Sequence, residues 1–177
     1  MEELSLILKQ CALNDRTAQQ QLYMHFYDDM YRLCYRYVTE PHAAVSVVND
    51  GFLKVFKNIH QYNETAGAFR PWLKRVMVNT AIDYLRKKKT DIKVVEMSGV
   101  YEPAQEETGL NLKWSQQDLL RCLNQLPAMT RMVVNLVAFE GYSHREIAQQ
   151  LDISEGASRW HLSEARKRLK QVLAIHR

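Results

Sequence analysis

Near the carboxy end of the chain, Arg159, Trp160, Ser163, Arg166 and Lys167 gather on one side of a helix wheel turned at about 100° per residue. Leu162, Ala165, Leu169, Val172 and Leu173 gather on the other. The first set carries the chemistry of a nucleic-acid reader. A guanidinium makes two hydrogen bonds to a guanine edge, a hydroxyl bonds a base edge or a phosphate, and an ammonium neutralises phosphate. Trp160 is the odd member, because an exposed indole costs solubility unless it packs on something. Packing against a connector or a second domain is the alternative to a base contact. Glu164 lies off this face, four residues before Arg168, where a helical ion pair forms.

A second set lies in the middle of the chain. Trp72, Arg75, Asn79, Asp83 and Arg86 share one helical stripe, and the run from Lys87 to Lys89 extends it. Asn, Asp and Arg together position phosphate and hold the edge of an unpaired base, and the lysines continue a positive track. The plainer alternative is an Asp83–Lys87 pair on a solvated helix, worth only about 0.2–0.5 kcal/mol.

Charge along the 177 residues follows these two sets. Residues 1–69 carry a net −2, residues 70–93 carry +6, residues 94–112 carry −4 and residues 113–177 carry +4. Two basic blocks separated by an acidic stretch suit two contacts with a polyanion, joined by a segment that avoids it. Basic residues are also common on solvated helix faces, so charge by itself leaves both readings open.

Other chemistries find little support. Asp28 and Asp29 are adjacent, so they do not share a helix face, and the six histidines have no nucleophile at workable spacing. Cys11, Cys34 and Cys122 are scattered, without metal-ligand spacing, and read as buried thiols of a reducing compartment. No metal and no cofactor are expected. The amino terminus has no basic and apolar secretory signal, and no run approaches the roughly 20 apolar residues of a membrane span. A cytoplasmic protein is expected.

The elements that must position these residues are helices. Leu22, Phe26, Met30, Leu33, Cys34 and Tyr37 step by three and four along one face, and Pro41 closes that segment. Val45, Val48, Phe52, Val55, Phe56 and Ile59 repeat the pattern. His60 to Gly67 breaks the period and reads as a loop. A helix starting near Pro71 follows, with Leu73, Val76, Met77, Thr80, Tyr84 and Leu85 as its inner stripe. Residues 91–112 hold Gly99, Pro103, Gly109 and a glutamate cluster, and read as a flexible acidic linker. The helical period resumes near Trp114 and runs to Leu126, and Pro127 opens another helix that ends before Gly141.

Ser143 and Glu146 then fit a capping box opening a short helix from His144 to Leu151, with Ile147, Ala148 and Leu151 inward. Asp152, Ile153 and Ser154 form a tight turn, Ser154 caps again, and a last helix runs from about Glu155 to Ala174. A short helix, a turn and a longer basic helix make a helix-turn-helix, the alternative being a purely structural helix pair. The expected fold is all-α: a helical domain over 1–90, the linker over 91–112, and a helix-turn-helix domain over 113–177.

The segment from Phe69 to Lys89 resembles the DNA-melting helix of the extracytoplasmic-function group of sigma-70 family sigma factors. Asp50-Gly-Phe-Leu-Lys-Val-Phe56 resembles that family's preceding helix, which docks on the RNA polymerase clamp. Leu123 to Pro127, Gly141 to Ala148, Ser154 to Gly156 and Glu164 to Leu169 resemble its carboxy-terminal domain. Almost the whole chain is covered, in order, and the linker falls where the family has one. The chain departs from the pattern in carrying Ala43-Ala-Val-Ser-Val-Val-Asn49 where acidic residues are common. It also has Ser158 and Trp160 in place of an apolar and a small residue.

The resemblance implies a sigma-2-like bundle and a sigma-4-like helix-turn-helix domain that bridge core polymerase, at its clamp and flap, to promoter DNA. Trp72, Arg75, Asn79, Asp83, Arg86 and Lys87, with the loop from His60 to Phe69, would then engage the −10 element. Arg145, Glu155, Gly156, Arg159, Trp160, Ser163, Arg166 and Lys167 would meet the −35 element. Asn49, Asp50, Phe52 and Leu53 would meet the clamp. No sensory domain is expected beyond the last helix, so regulation would come from a separate anti-sigma factor. A stand-alone helix-turn-helix regulator, whose first domain binds a ligand or dimerises, is the competing reading.

Overall fold

The computed structural model describes residues 2–89 and 116–175. The acidic linker and the resumption of the period near Trp114 lie outside those residues. Eight α-helices and two short 3-10 turns make up the described residues, which contain no strand. The chain divides into two compact units, the first holding the first four helices and the second the last four.

In the first unit, α1 (Glu2–Ala12) leads into α2 (Arg16–Val38), whose N-cap Asp15 accepts a hydrogen bond from the Ala18 amide at 2.9 Å. Thr39 ends α2 in the left-handed region at φ 61°, and Pro41 then occupies the first turn of α3 (Pro41–Asn58). Pro41 therefore opens a helix as well as following one, since its missing N–H has no helical partner there. Two 3-10 turns, Ile59–Gln61 and Glu64–Ala66, carry the chain to α4 (Phe69–Lys89). This helix starts two residues before Pro71.

Helices α2, α3 and α4 pack each against the other two, and α1 lies against α2. All six residues of the first predicted stripe are buried on α2. On α3 the stripe widens: Ala43, Ala44, Val47 and Gly51 are buried along with Val48, Phe52 and Val55, while Val45 and Phe56 are half-buried. The reason is position, because α3 is covered by α2 on one side and α4 on the other. Gly51 marks the close approach to α4: a Cβ there would overlap the Met77 sulfur. On α4, Val78, Ala81 and Ile82 join Leu73, Met77 and Leu85 in the core. The buried Thr80 hydroxyl donates to the Val76 carbonyl at 2.8 Å, so it is satisfied within its own helix.

The second unit comprises α5 (Gln116–Asn124), α6 (Ala128–Ala138), α7 (His144–Leu151) and α8 (Glu155–Ile175). Pro127 serves as the N-cap of α6. Past the end of α6, Gly141 at φ +74° takes the left-handed turn that lets the Tyr142 amide donate back to the Leu136 carbonyl at 2.9 Å. Helix α7 starts with the capping box. The Ser143 amide donates to Glu146 Oε2 at 2.8 Å, and the Glu146 amide donates to Ser143 Oγ at 3.3 Å. Asp152, at φ 54°, closes α7. Ser154 Oγ accepts from the Ala157 amide at 3.0 Å and so caps α8. Helices α6 and α7 both pack on α8. The core holds Leu123, Leu126, Met132, Val133, Leu136, Ile147, Leu151 and Ala165.

Candidate nucleic-acid interface

The turn from Asp152 to Ser154 sets α8 across α7 and leaves the amino-terminal half of α8 with an open outer face. Arg159, Arg166 and Lys167 are exposed there, Ser163 and Trp160 are half-buried, and Arg145 of α7 and Gly156 are exposed. Arg159 is not a loose cation, since its guanidinium donates to the Glu155 carboxylate at 2.9 Å, one turn earlier. Glu164 pairs with Arg168 at 2.6 Å off this face, as its spacing predicts. The Trp160 ring meets the neighbouring His161 ring edge-on at a centroid distance of 5.0 Å.

Beneath this face lie polar groups that sequence reasoning missed. Ser158 is fully buried, and its hydroxyl lies 2.8 Å from His144 Nδ1. His161 is also buried, with its Nδ1 3.0 Å from the Thr130 hydroxyl of α6. Both residues continue the inward stripe of Ala165 backwards by three and four, which was the available signal. Burial lowers the affinity of His144 for a proton, the nearby Arg159 and Arg166 lower it further, and Glu155 opposes them in part. A neutral imidazole at neutral pH results. Arg131 is buried on α6 and donates to the Leu126 carbonyl at 3.1 Å, and burial lowers its proton affinity as well.

The second cationic face belongs to α4. Arg75, Asn79, Arg86 and Lys87 are exposed along it and Asp83 is half-buried. The Asp83 carboxylate accepts from Lys54 Nζ of α3 at 2.9 Å, a partner on another helix that spacing along α4 does not reveal. Between α3 and α4 a cleft of about 290 Å³ is lined by Asp50, Lys54, Thr80, Asp83, Tyr84, Arg86 and Lys87.

An aromatic cluster roots the preceding loop. Trp72 is half-buried against Tyr62 and Phe69, with both centroid distances at 5.7 Å, and Tyr62 meets Phe69 edge-on at 5.2 Å. The Tyr62 hydroxyl donates to the Gly67 carbonyl at 2.9 Å, and Asn63 Oδ1 accepts from the Thr65 amide at 3.0 Å. Arg70 pairs with Asp29 of α2 and ties the start of α4 down.

On α3, Asn49, Asp50 and Leu53 are exposed, Leu53 at 57 %, and the Tyr23 hydroxyl donates to Asn49 Oδ1 at 2.9 Å. Phe52 corrects the sequence reading. It is 2 % exposed and packs on Tyr23 and Phe56, so it supports this face from within and presents no surface to a partner. None of the three cysteines is in a disulfide and all are buried, and burial pushes the Cys11 thiol up to about 11 and the Cys34 thiol to about 12. Among the described residues no group of three His, Cys, Asp or Glu could hold a metal, and no helix is long and apolar enough to cross a membrane.

The described residues thus carry two cationic faces on two helical units, one on a helix-turn-helix and one on a helix beside an aromatic-rooted loop. Residues 22–90 match the family description Sigma-70 region 2, and residues 116–169 match Sigma-70, region 4. Together these matches cover well over half of the chain, which belongs to the sigma-70 family, in its extracytoplasmic-function (ECF) group.

The ECF RNA polymerase sigma factor SigE of Mycolicibacterium smegmatis is 29 % identical over 154 residues, covering 84 % of this chain and 59 % of that protein. The chain thus spans about three fifths of that relative. The ECF RNA polymerase sigma factor SigW of Bacillus subtilis is 28 % identical over 181 residues, covering 94 % of each chain. Among solved structures, the sigma factor RpoE of Bartonella quintana, in complex with the anti-sigma factor NepR, shares the fold. Its TM-score is 0.55 at 21 % identity, covering 89 % of this chain and 98 % of that one.

Proposed function

We infer that this chain is an alternative-type sigma factor that binds core RNA polymerase and directs promoter recognition, DNA melting and transcription initiation. The observation that carries this reading is the presence of two cationic helix faces on two separate units, each suited to a different form of DNA. The α8 face belongs to a helix-turn-helix, which enters a duplex groove with its amino-terminal residues. Glu155, Gly156, Arg159, Trp160, Ser163, Arg166 and Lys167, with Arg145 of α7, would meet the −35 element there. The α4 face stands beside a loop rooted in aromatic rings, and stacking with cationic tracking is how single strands are held. Trp72, Arg75, Asn79, Asp83, Arg86 and Lys87 would meet the −10 element as its strands part.

Asn49, Asp50 and Leu53 are the surface offered to the polymerase clamp, and the second unit also engages the flap. Sigma factors are initiation factors without enzymatic activity, and this one works on polymerase in the cytoplasm, catalysing nothing itself. A separate anti-sigma factor holds it inactive until needed.

Multi-round transcription with purified core polymerase on fragmented DNA from the source genome tests the reading. New transcripts with defined starts, dependent on the protein, are the expected result. If none forms while the protein alone retains specific duplexes, it is a stand-alone regulator.

A further inference from the structure

The outer face of α8 carries an indole that is steadied from beneath. Trp160 lies in the second turn of the helix, the part that approaches base edges in a helix-turn-helix. Its ring meets the His161 ring at 77°, with centroids 5.0 Å apart. His161 is 7 % exposed, and its Nδ1 lies 3.0 Å from Thr130 Oγ1 on α6. A side chain of one helix thus fixes an imidazole of another, and the imidazole backs the indole. Restricted in this way, the ring loses little conformational freedom on meeting a partner.

Arg159 and Ser163 beside it bring hydrogen-bonding groups, whereas the indole brings a flat apolar surface with a single N–H. In the major groove, the apolar feature that distinguishes one base from the others is the C5-methyl group of thymine.

We propose that Trp160 is a specificity-determining residue of the α8 face that covers the 5-methyl group of one thymine in the −35 element, with His161 and Thr130 as positioning residues that hold the indole. This rests on the assignment of α8 to the −35 element.

Holoenzyme assembled from core polymerase and the full chain is used to select duplexes randomised across the upstream element. The selected thymine is then replaced by uracil, which removes the methyl group alone. Wild-type holoenzyme is expected to prefer thymine at one position. It should bind the uracil duplex about fourfold more weakly, the Boltzmann factor for burying one methyl-sized group. Trp160→Ala is expected to lose that preference while keeping the others, and to bind both duplexes equally. Thr130→Val, which removes the hydroxyl at constant shape, is expected to narrow the thymine–uracil difference while holoenzyme assembly is unchanged.

Equal binding of the thymine and uracil duplexes by the wild-type protein overturns the proposal without any variant, and continued selection at other positions then leaves the −35 assignment standing. An undiminished difference in Thr130→Val removes His161 and Thr130 from the proposal. Selection of no upstream sequence by any of the proteins overturns the −35 assignment and the proposal together.

Discussion

Helices α4 and α8 are each 21 residues long and each turns a cationic face outward, yet they are held in place by different forces. The inner side of α4 is apolar, with Leu73, Met77, Val78, Ala81, Ile82 and Leu85 buried. Its one buried hydroxyl, on Thr80, is satisfied by its own helix. The inner side of α8 instead carries Ser158 and His161, bonded to α7 and α6 respectively. Apolar burial is non-directional and adds up by area. A hydrogen bond between helices sets direction, and it leaves a costly orphan when one partner is removed. The first unit therefore holds its cationic helix by mass of contact, and the second by alignment.

The comparison can be strained in five ways, from the largest expected effect to the smallest. Phe52→Ala should destabilise the first unit by about 3–5 kcal/mol in urea denaturation, as a large core truncation does. The neighbouring Leu53→Ala should stay within about 0.5 kcal/mol and show its effect in polymerase binding. A small loss for Phe52→Ala would mean that α3 does not rest on apolar mass.

The two outer faces are separated next. Arg159→Ala should weaken use of promoters that need the −35 contact by about 1–3 kcal/mol, measured as promoter occupancy, with core binding intact. Asn79→Ala should spare closed complexes and slow strand opening, read from permanganate reactivity of unpaired thymines. Equal defects at both stages would erase the division of labour.

Ser158→Ala should cost the second unit about 1–2 kcal/mol by leaving the His144 nitrogen without its hydroxyl, measured by thermal denaturation. A neutral outcome would show that water replaces the bond and that alignment counts for little.

His144 also gives the second unit a pH dependence. Its folded proton affinity lies below the ordinary 6.5, so the unfolded chain takes up a proton first as pH falls. The stability it contributes is complete above about pH 6.5 and is lost progressively below it. Denaturation midpoints followed across that value should fall on the acid side, and His144→Gln should flatten the curve.

Lys54→Ala should change stability by no more than about 1 kcal/mol, because its pair with Asp83 is close to half exposed on both sides. A larger loss would add a directional tie to a unit otherwise held by area.

Helix α7 was legible to the residue, because its start and stop are local chemistry: the reciprocal Ser143–Glu146 bonds and the left-handed Asp152. The stripe of α2 was legible for a similar reason, since one face of that helix meets the core. Helix α1 was not. Leu4, Ile7, Leu8 and Cys11 do step by three and four along its buried or half-buried side, but Leu6 and the following Leu13, 58 % and 82 % exposed, lie off that stripe and blur it. The wider burial of α3, Phe52 included, depends on its being covered from two sides, which spacing along one helix does not reveal.

Polar pairs were hidden in proportion to sequence distance. Ser158 finds His144 across 14 positions, Asp83 finds Lys54 across 29 and His161 finds Thr130 across 31. The paired Glu164 and Arg168, four apart, were plain from the sequence.

The loop between α3 and α4 has a consequence for kinetics. Its base is clamped by the Tyr62–Phe69–Trp72 rings, its neck by the Tyr62 hydroxyl on the Gly67 carbonyl, and its exit by Arg70 on Asp29. Ordering a loose segment costs about 1–2 kcal/mol per residue, and a segment already folded does not incur that cost again on binding. If this loop takes up a single strand as proposed, capture should therefore be limited by how often the duplex opens, with little delay from the protein. Loosening the clamp would move that delay from the DNA to the protein.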